Sequence, residues 1–184
     1  MNTISTAEAI KALENNEVIA YPTEGVFGLG CDPDSATAIK TIDLLKNRPE
    51  NKGYILLGNK IQDFDKYIDW SSIDNEKIKI IEESIDKHTT WLVHCRKLVN
   101  KKISGNTNKI AIRLTNHDVI KSICFKFKKP IVSTSANISS QTAALTHNKL
   151  KEYFGDKIKC VNGSLGNKRK PSIIIDLETN KKIR

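Results

Sequence analysis

Long hydrophobic runs are missing. Stretches such as Val18-Ile19-Ala20-Tyr21 and Ile173-Ile174-Ile175 fall far short of the ~20 apolar residues that span a bilayer, so no membrane association is expected. The first residues, MNTISTAEAIKALENN, carry neither a basic start nor a continuous apolar stretch. A secretory signal is therefore not expected, and a cytoplasmic location is. The cysteines stand at 31, 95, 124 and 160, with no C-x-x-C pair to seed a zinc site. They read as reduced, mostly buried thiols. Gly25 and Gly30 have the spacing of a Walker A loop, but Cys31 and Asp32 stand where the phosphate-reaching lysine and the metal-binding hydroxyl belong. The same stretch is no G-x-G-x-x-G fingerprint, and it reads as a turn passing close to a ligand or strand. H-E-x-x-H and G-x-S-x-G are both absent, which removes zincin and serine-hydrolase chemistry. His94 and Cys95 adjoin on an expected strand and point to opposite faces, so they cannot pair as base and nucleophile. Aromatics are only 6% of the chain, which leaves few stacking platforms for single-stranded nucleic acid.

What the chain does have is positive charge: 30 Lys or Arg against 21 Asp or Glu, a net +9. Phosphate-bearing partners are one explanation, and solvated lysines on a lysine-rich surface are the other. With 39% hydrophobic and 28% charged residues the chain has a globular composition. No repeat or linker divides it, so a single domain over 1–184 is expected. Helical spacing marks Ala7–Asn15, Ser35–Asn47, Asp118–Phe127 and Asn148–Phe154, with weaker signals at Ile61–Tyr67 and Asn75–Ile85. Strands are expected at Glu17–Tyr21, Tyr54–Leu57, Thr89–Cys95, Lys109–Leu114, Pro130–Ser133, Ile158–Val161 and Ser172–Leu177. The alternation lacks clean βαβ regularity, which predicts one α/β domain around a mixed sheet flanked by helices.

Three polar clusters fall where strands or helices end, the usual place for α/β sites. Lys46-Asn47-Arg48-Pro49 with Lys52 could neutralise a polyphosphate. It could equally be a helix C-terminus favouring exposed, dispensable cations. Ser133-Thr134-Ser135-Ala136-Asn137 follows the apolar Pro130-Ile131-Val132. Its hydroxyls and amide suit phosphate, carboxylate or bicarbonate oxygens, or only a capping turn. Tyr21-Pro22-Thr23-Glu24-Gly25-Val26-Phe27-Gly28-Leu29-Gly30 reads as a strand-end turn or as a loop shaped around a small substrate.

Taken in order, Tyr-Pro-Thr-Glu-x-x-x-Gly-x-Gly, Lys-x-Arg-Pro-x-x-Lys-Gly and Ser-Thr-Ser-Ala-Asn resemble the YrdC family. Cys31-Asp32-Pro33, the stretch Ala111-Ile112-Arg113-Leu114-Thr115-Asn116-His117, and Pro171-Ser172 before Ile173-Ile174-Ile175-Asp176 agree with it. The resemblance runs over roughly residues 5 to 178. It implies a twisted mixed sheet with a concave basic face. It implies an activity that condenses L-threonine, bicarbonate and ATP into threonylcarbamoyl-adenylate and pyrophosphate, on the way to a threonylcarbamoyl-modified adenosine in tRNA. It also implies Mg2+ accompanying ATP without a protein cage, binding of double-stranded RNA or tRNA, and downstream proteins that receive the threonylcarbamoyl group. A non-catalytic RNA-binding relative is the alternative.

By the same resemblance, Lys46, Arg48 and Lys52 would face the ATP phosphates, Lys46 and Arg48 stabilising the transition state. Ser133, Ser135 and Asn137 would contact the nucleotide and the carbamoyl-forming centre. Ser172 would reach phosphate or ribose, and Thr90 would contact ATP. Thr23 and Arg113 would hold threonine, Arg113 through the carboxylate. The chain departs from the family at Ile85-Asp86-Lys87-His88, where members carry Trp-Pro-Gly-Pro, so a looser or reshaped turn is expected there. Lys168-Arg169-Lys170 is a solvated loop or a closing lid.

Overall fold

The structure, a computed structural model, describes residues 2–49, 52–168 and 171–184. In chain order the strands are β1 (Thr3–Ile4), β2 (Ile19–Pro22), β3 (Phe27–Gly30), β4 (Ile55–Gly58), β5 (Thr89–His94), β6 (Lys109–Leu114), β7 (Ile131–Ser135), β8 (Lys159–Val161) and β9 (Ile173–Asp176). The helices are α1 (Thr6–Glu14), α2 (Ala36–Lys46), α3 (Asn75–Glu82), α4 (Lys101–Ser104), α5 (Asp118–Phe127) and α6 (His147–Phe154).

Local chemistry sets the helix ends. Ser5 opens α1 with a reciprocal capping box: its hydroxyl accepts from the Glu8 N–H, and the Glu8 carboxylate accepts from the Ser5 N–H. Ser35 caps α2 in the same position by accepting from the Ala38 N–H. The weak helical signal after Ile61 is only a short 3-10 turn, Ile61–Phe64. The four-residue α4 was not expected; at that length no hydrophobic period can be read.

The strands form one mixed sheet in the order β1-β8-β2-β3-β7-β4-β6-β5-β9. The middle run β2-β3-β7-β4 is antiparallel, and β4 pairs parallel with β6. Phe27–Gly30 corrects the expectation of a turn, because it is the strand β3. Its glycines serve packing. A Cβ at Gly28 or Gly30 would lie 2.8 or 2.7 Å from the Tyr21 ring, and at Gly30 also 2.4 Å from the Val132 carbonyl. The strand gives up side chains so that a fully buried tyrosine fits beside it.

Strand alternation sends residues to two layers. One face contributes Ala20, Leu29, Leu56, Ile112 and Val132 to the larger core. The opposite face contributes Ile19, Tyr21, Leu57, Ile131 and Val161 to a smaller core beneath α1 and α5. These two helices cover only part of that second face, and the uncovered part becomes the floor of a cavity. Cys31, Cys124 and Cys160 are buried and Cys95 half-buried, and all four are free thiols. No helix among the described residues is long and apolar enough to cross a membrane.

Leu29 is fully buried in β3, whereas Leu98 is 97% exposed. Leu29→Ala is expected to cost about 2–5 kcal/mol in urea unfolding, and Leu98→Ala less than about 0.5 kcal/mol.

Candidate active site

The cavity over the uncovered face has a volume of about 1090 Å³. Its floor is built by strand parity. Ile55 and Leu57 of β4, Lys109, Ala111 and Arg113 of β6, and Ser133 and Ser135 of β7 all line it. Their neighbours Leu56, Ile110, Ile112 and Val132 go to the larger core, while Thr134, between the two serines at the end of β7, also lines the cavity. Five cations line the cavity (Arg48, Lys52, Lys109, Arg113 and Arg184) and, among the described residues, no Asp or Glu does. Of the ten residues singled out from the sequence, Thr23, Arg48, Lys52, Arg113, Ser133, Ser135, Asn137 and Ser172 line it.

Lys46 stands differently. It is only 2% exposed and forms no part of the cavity wall. Its ammonium donates to the Ser135 carbonyl at 2.5 Å, the Asn137 carbonyl at 2.7 Å and Asn137 Oδ1 at 3.2 Å. Three acceptors match the three N–H bonds of the charged form. Burial, reinforced by the nearby Arg48 guanidinium, pulls its pKa down to about 7. Exposed, dispensable cations at a helix end do not describe this residue. The same contacts explain Asn137. Its Oδ1 also accepts from Ser135 Oγ at 2.5 Å, and its Nδ2 donates to the Ile138 and Gln141 carbonyls. Lys46 and Asn137 together fix the turn that presents Ser135 to the cavity.

Arg48 is placed by the end of α2. Asn47 takes the left-handed conformation (φ 49°), and the Arg48 N–H returns to the Asp43 carbonyl at 3.0 Å. This closure reverses the chain just before Pro49. The guanidinium then lies 4.3 Å over the Tyr54 ring and donates to the Gly53 carbonyl at 2.6 Å. Burial lowers its pKa, yet the stacking leaves a planar cation facing the cavity. Arg48 Nε is buried without a hydrogen-bond partner among the described residues.

Arg113 is held by a residue that the motif reading did not select. Glu24 accepts from Arg113 Nη2 at 3.1 Å and from Thr115 Oγ1 at 2.6 Å. Burial raises the Glu24 pKa, but Arg113 and the Thr115 hydroxyl outweigh it and hold the carboxyl below its ordinary range. Arg113 Nε remains buried without a hydrogen-bond partner among the described residues, an unmet donor at the cavity wall. The signal for Glu24 in the sequence was its fixed place in the Tyr-Pro-Thr-Glu motif, to which no role was attached.

Thr90 is fully buried in β5 and reaches the cavity only through Ser172, with 2.8 Å between the hydroxyls. In the turn before it, His88 takes the left-handed conformation (φ 54°) and lines the cavity. Arg184 was not anticipated. Its guanidinium donates to the Ser172 carbonyl and lies at the cavity. Of the basic segment 168–170, Arg169 and Lys170 lie outside the described residues. Lys168 packs on the first motif, its N–H donating to the Glu24 carbonyl at 2.7 Å.

Comparisons with known proteins bear on the family and the fold. The profile of the Sua5/YciO/YrdC family, described as "Telomere recombination", matches residues 11–184. The threonylcarbamoyl-AMP synthase of Psychromonas ingrahamii is 39% identical over 180 residues, 96% of this chain and 94% of that protein. The protein of the same name from Vibrio campbellii is 38% identical over 178 residues, 96% of each chain. Among solved structures, P. abyssi Sua5 complexed with L-threonine superimposes with a TM-score of 0.86 at 23% identity, over 96% of this chain and 52% of that one. E. coli YciO does so with a TM-score of 0.83 at 18% identity, over 97% and 87%. At these identities the likeness to the solved structures shows the fold.

In the unfolded chain Lys46 titrates near 10.5 and in the fold near 7. Between these values the unfolded chain binds the extra proton, so stability rises with pH across this window. The cost of burying the charge is full below about 7 and fades toward 10.5. Lys46→Met lacks this dependence. In urea unfolding, the wild-type-minus-variant stability difference is expected to move in favour of the wild type as pH rises through the window.

Proposed function

Because the chain belongs to the Sua5/YciO/YrdC family, we propose that it is a threonylcarbamoyl-AMP synthase, joining L-threonine, bicarbonate and ATP. The observation that carries this reading is a large cavity lined by cations, without a lining carboxylate among the described residues, and with two guanidiniums anchored at separate points, one just before β4 and one on β6. Arg48 is tied to Gly53 just before β4, and Arg113 sits on β6 opposite Leu57 near the end of β4. Their anchor points, Gly53 and Leu57, are four residues apart along the chain, roughly 13 Å at full extension. That is room for a carboxylate at one end and a polyphosphate at the other. The threonine and ATP assignments are further supported by the names of the curated relatives and by the threonine complex of P. abyssi Sua5.

In this reading Arg113 pairs with the threonine carboxylate, with Thr23 beside it. The threonine amine attacks the bicarbonate carbon, a C–N bond forms, and a C–O bond breaks with loss of water, which gives a carbamate. A carbamate oxygen attacks the α-phosphorus, a new P–O bond forms, and the bond to pyrophosphate breaks. Negative charge gathers on the phosphoryl oxygens and the departing pyrophosphate. Arg48 and Lys52 meet it as fixed cations, with Ser133, Ser135 and Ser172 as hydroxyl donors. Lys46 contributes by holding the Ser135–Asn137 turn, and its charge reaches the same region. Holding three substrates in line supplies much of the remaining acceleration, and no covalent nucleophile is required. Magnesium enters with ATP. Among the described residues no group of three or more His, Cys, Asp or Glu is placed to hold a metal, so phosphate oxygens and water would be its main ligands. The product is a reactive mixed anhydride, which calls for a receiving protein and a tRNA acceptor. The chain's net charge of +9 is compatible with RNA contact.

The test is threonine-dependent pyrophosphate release from ATP and bicarbonate with magnesium. Release is expected from the wild type, and its absence from folded protein would refute the reading. Lys46→Ala and Arg48→Ala are each expected to reduce kcat/KM at least tenfold, ~1.4 kcal/mol. Arg113→Ala is expected to raise the threonine KM far more than the ATP KM.

A further inference from the structure

Beside the main cavity lies a second, smaller one of about 230 Å³, lined by Glu24, Asp86, Asn116, His117 and Lys168 among others. His88 is the one described residue that lines both cavities. It therefore belongs to the wall between them, beside the Glu24–Arg113 pair, whose carboxylate lines the smaller cavity and whose guanidinium lines the larger.

The imidazole is held against the carboxylate-binding end of the site. Arg113 Nη1 is 3.4 Å from His88 Nδ1 and 3.5 Å from Nε2. Near-equal distances to both ring nitrogens place the guanidinium against the ring face rather than on one lone pair, a stacking contact. The backbone fixes this position. His88 adopts φ 54°, and the loop before it is pinned where Trp91 Nε1 donates to Ser84 Oγ at 2.8 Å.

The space behind the imidazole is polar. Asn116 Nδ2 donates to Asp86 Oδ1 at 3.2 Å, and His117 Nδ1 is buried without a hydrogen-bond partner among the described residues. The volume would hold several waters at about 30 Å³ each. An amino acid whose carboxylate sits on Arg113 has its α-carbon within reach of the imidazole. The ring then decides whether a side chain stops in the main cavity or continues into the polar pocket.

We propose that His88 is a specificity-determining residue, the wall that restricts the amino-acid substrate to a short side chain by closing off the smaller pocket. This rests on the synthase reading. A wall of this kind discriminates by exclusion, so removing it gains the longer substrate as well as weakening the shorter one.

The experiment uses two substitutions that tolerate a left-handed backbone, His88→Gly and His88→Asn. Pyrophosphate release is measured with L-threonine and with the longer, polar L-glutamine. In His88→Gly the glutamine-to-threonine ratio of kcat/KM is expected to rise at least about tenfold, with His88→Asn intermediate and the ATP KM within about twofold of wild type. An unchanged ratio in both folded variants, with an active wild type, overturns this inference and leaves the synthase reading standing. A wild type that releases no pyrophosphate with threonine overturns the synthase reading, and the inference with it. Loss of the thermal unfolding transition in both variants would show that His88 holds the fold rather than the pocket, and also overturns the inference.

Discussion

One face of the central strands is covered over only part of its extent, and the site follows from that. α1 and α5 pack on Ile19, Tyr21, Leu57, Ile131 and Val161, and beyond them the sheet is bare. In an ordinary α/β sheet with helices on both faces this area would be core. Here its strand positions carry Arg113, Ser133 and Ser135 beside Ile55 and Ala111. The strands stay in register because their other face is buried in the larger core. A rigid sheet thus holds polar groups at fixed spacing without loops having to order around a ligand.

The cations in and behind the cavity wall are restrained in different ways, and the restraints differ in cost. Arg113 is balanced by Glu24, Arg48 by stacking on Tyr54, and Lys46 by neutral oxygens alone. A buried ammonium without a carboxylate partner is expensive, and its lowered pKa expresses that cost. An anionic substrate brought near would relieve it. The site is consequently arranged to hold positive charge at some expense until negative charge arrives.

Much of the fold was legible in the sequence because caps and periodicity agreed with one another. Helical spacing over Ala7–Asn15 and Ser35–Asn47 lies within a residue of α1 and α2, and the structure shows Ser5 and Ser35 capping them. β3 was not legible because its Gly-Leu-Gly reads as a turn until Tyr21 is known to need the space. The site residues emerged from ordered motifs, and the alternation in Lys109-Ile110-Ala111-Ile112-Arg113-Leu114 already put Arg113 on the face opposite the isoleucines. Burial of Lys46 was hidden, since a helix-end lysine is exposed by default and its acceptors lie about 90 residues away, at Ser135 and Asn137. Glu24 and His88 were hidden for a related reason. Their importance comes from contact with Arg113, and no local pattern encodes that.

The bond between Glu24 and Arg113 joins residues 89 positions apart. A contact of such range carries a large loop-closure cost and depends on the strands between its ends having assembled. A growing chain with only the β2–β3 hairpin in place would present the Glu24 carboxylate without its guanidinium, and would repel anionic substrates. Ligand capture therefore belongs to the finished fold. Binding of those anions would report, and by mass action favour, the chain in which every strand of the floor has found its place.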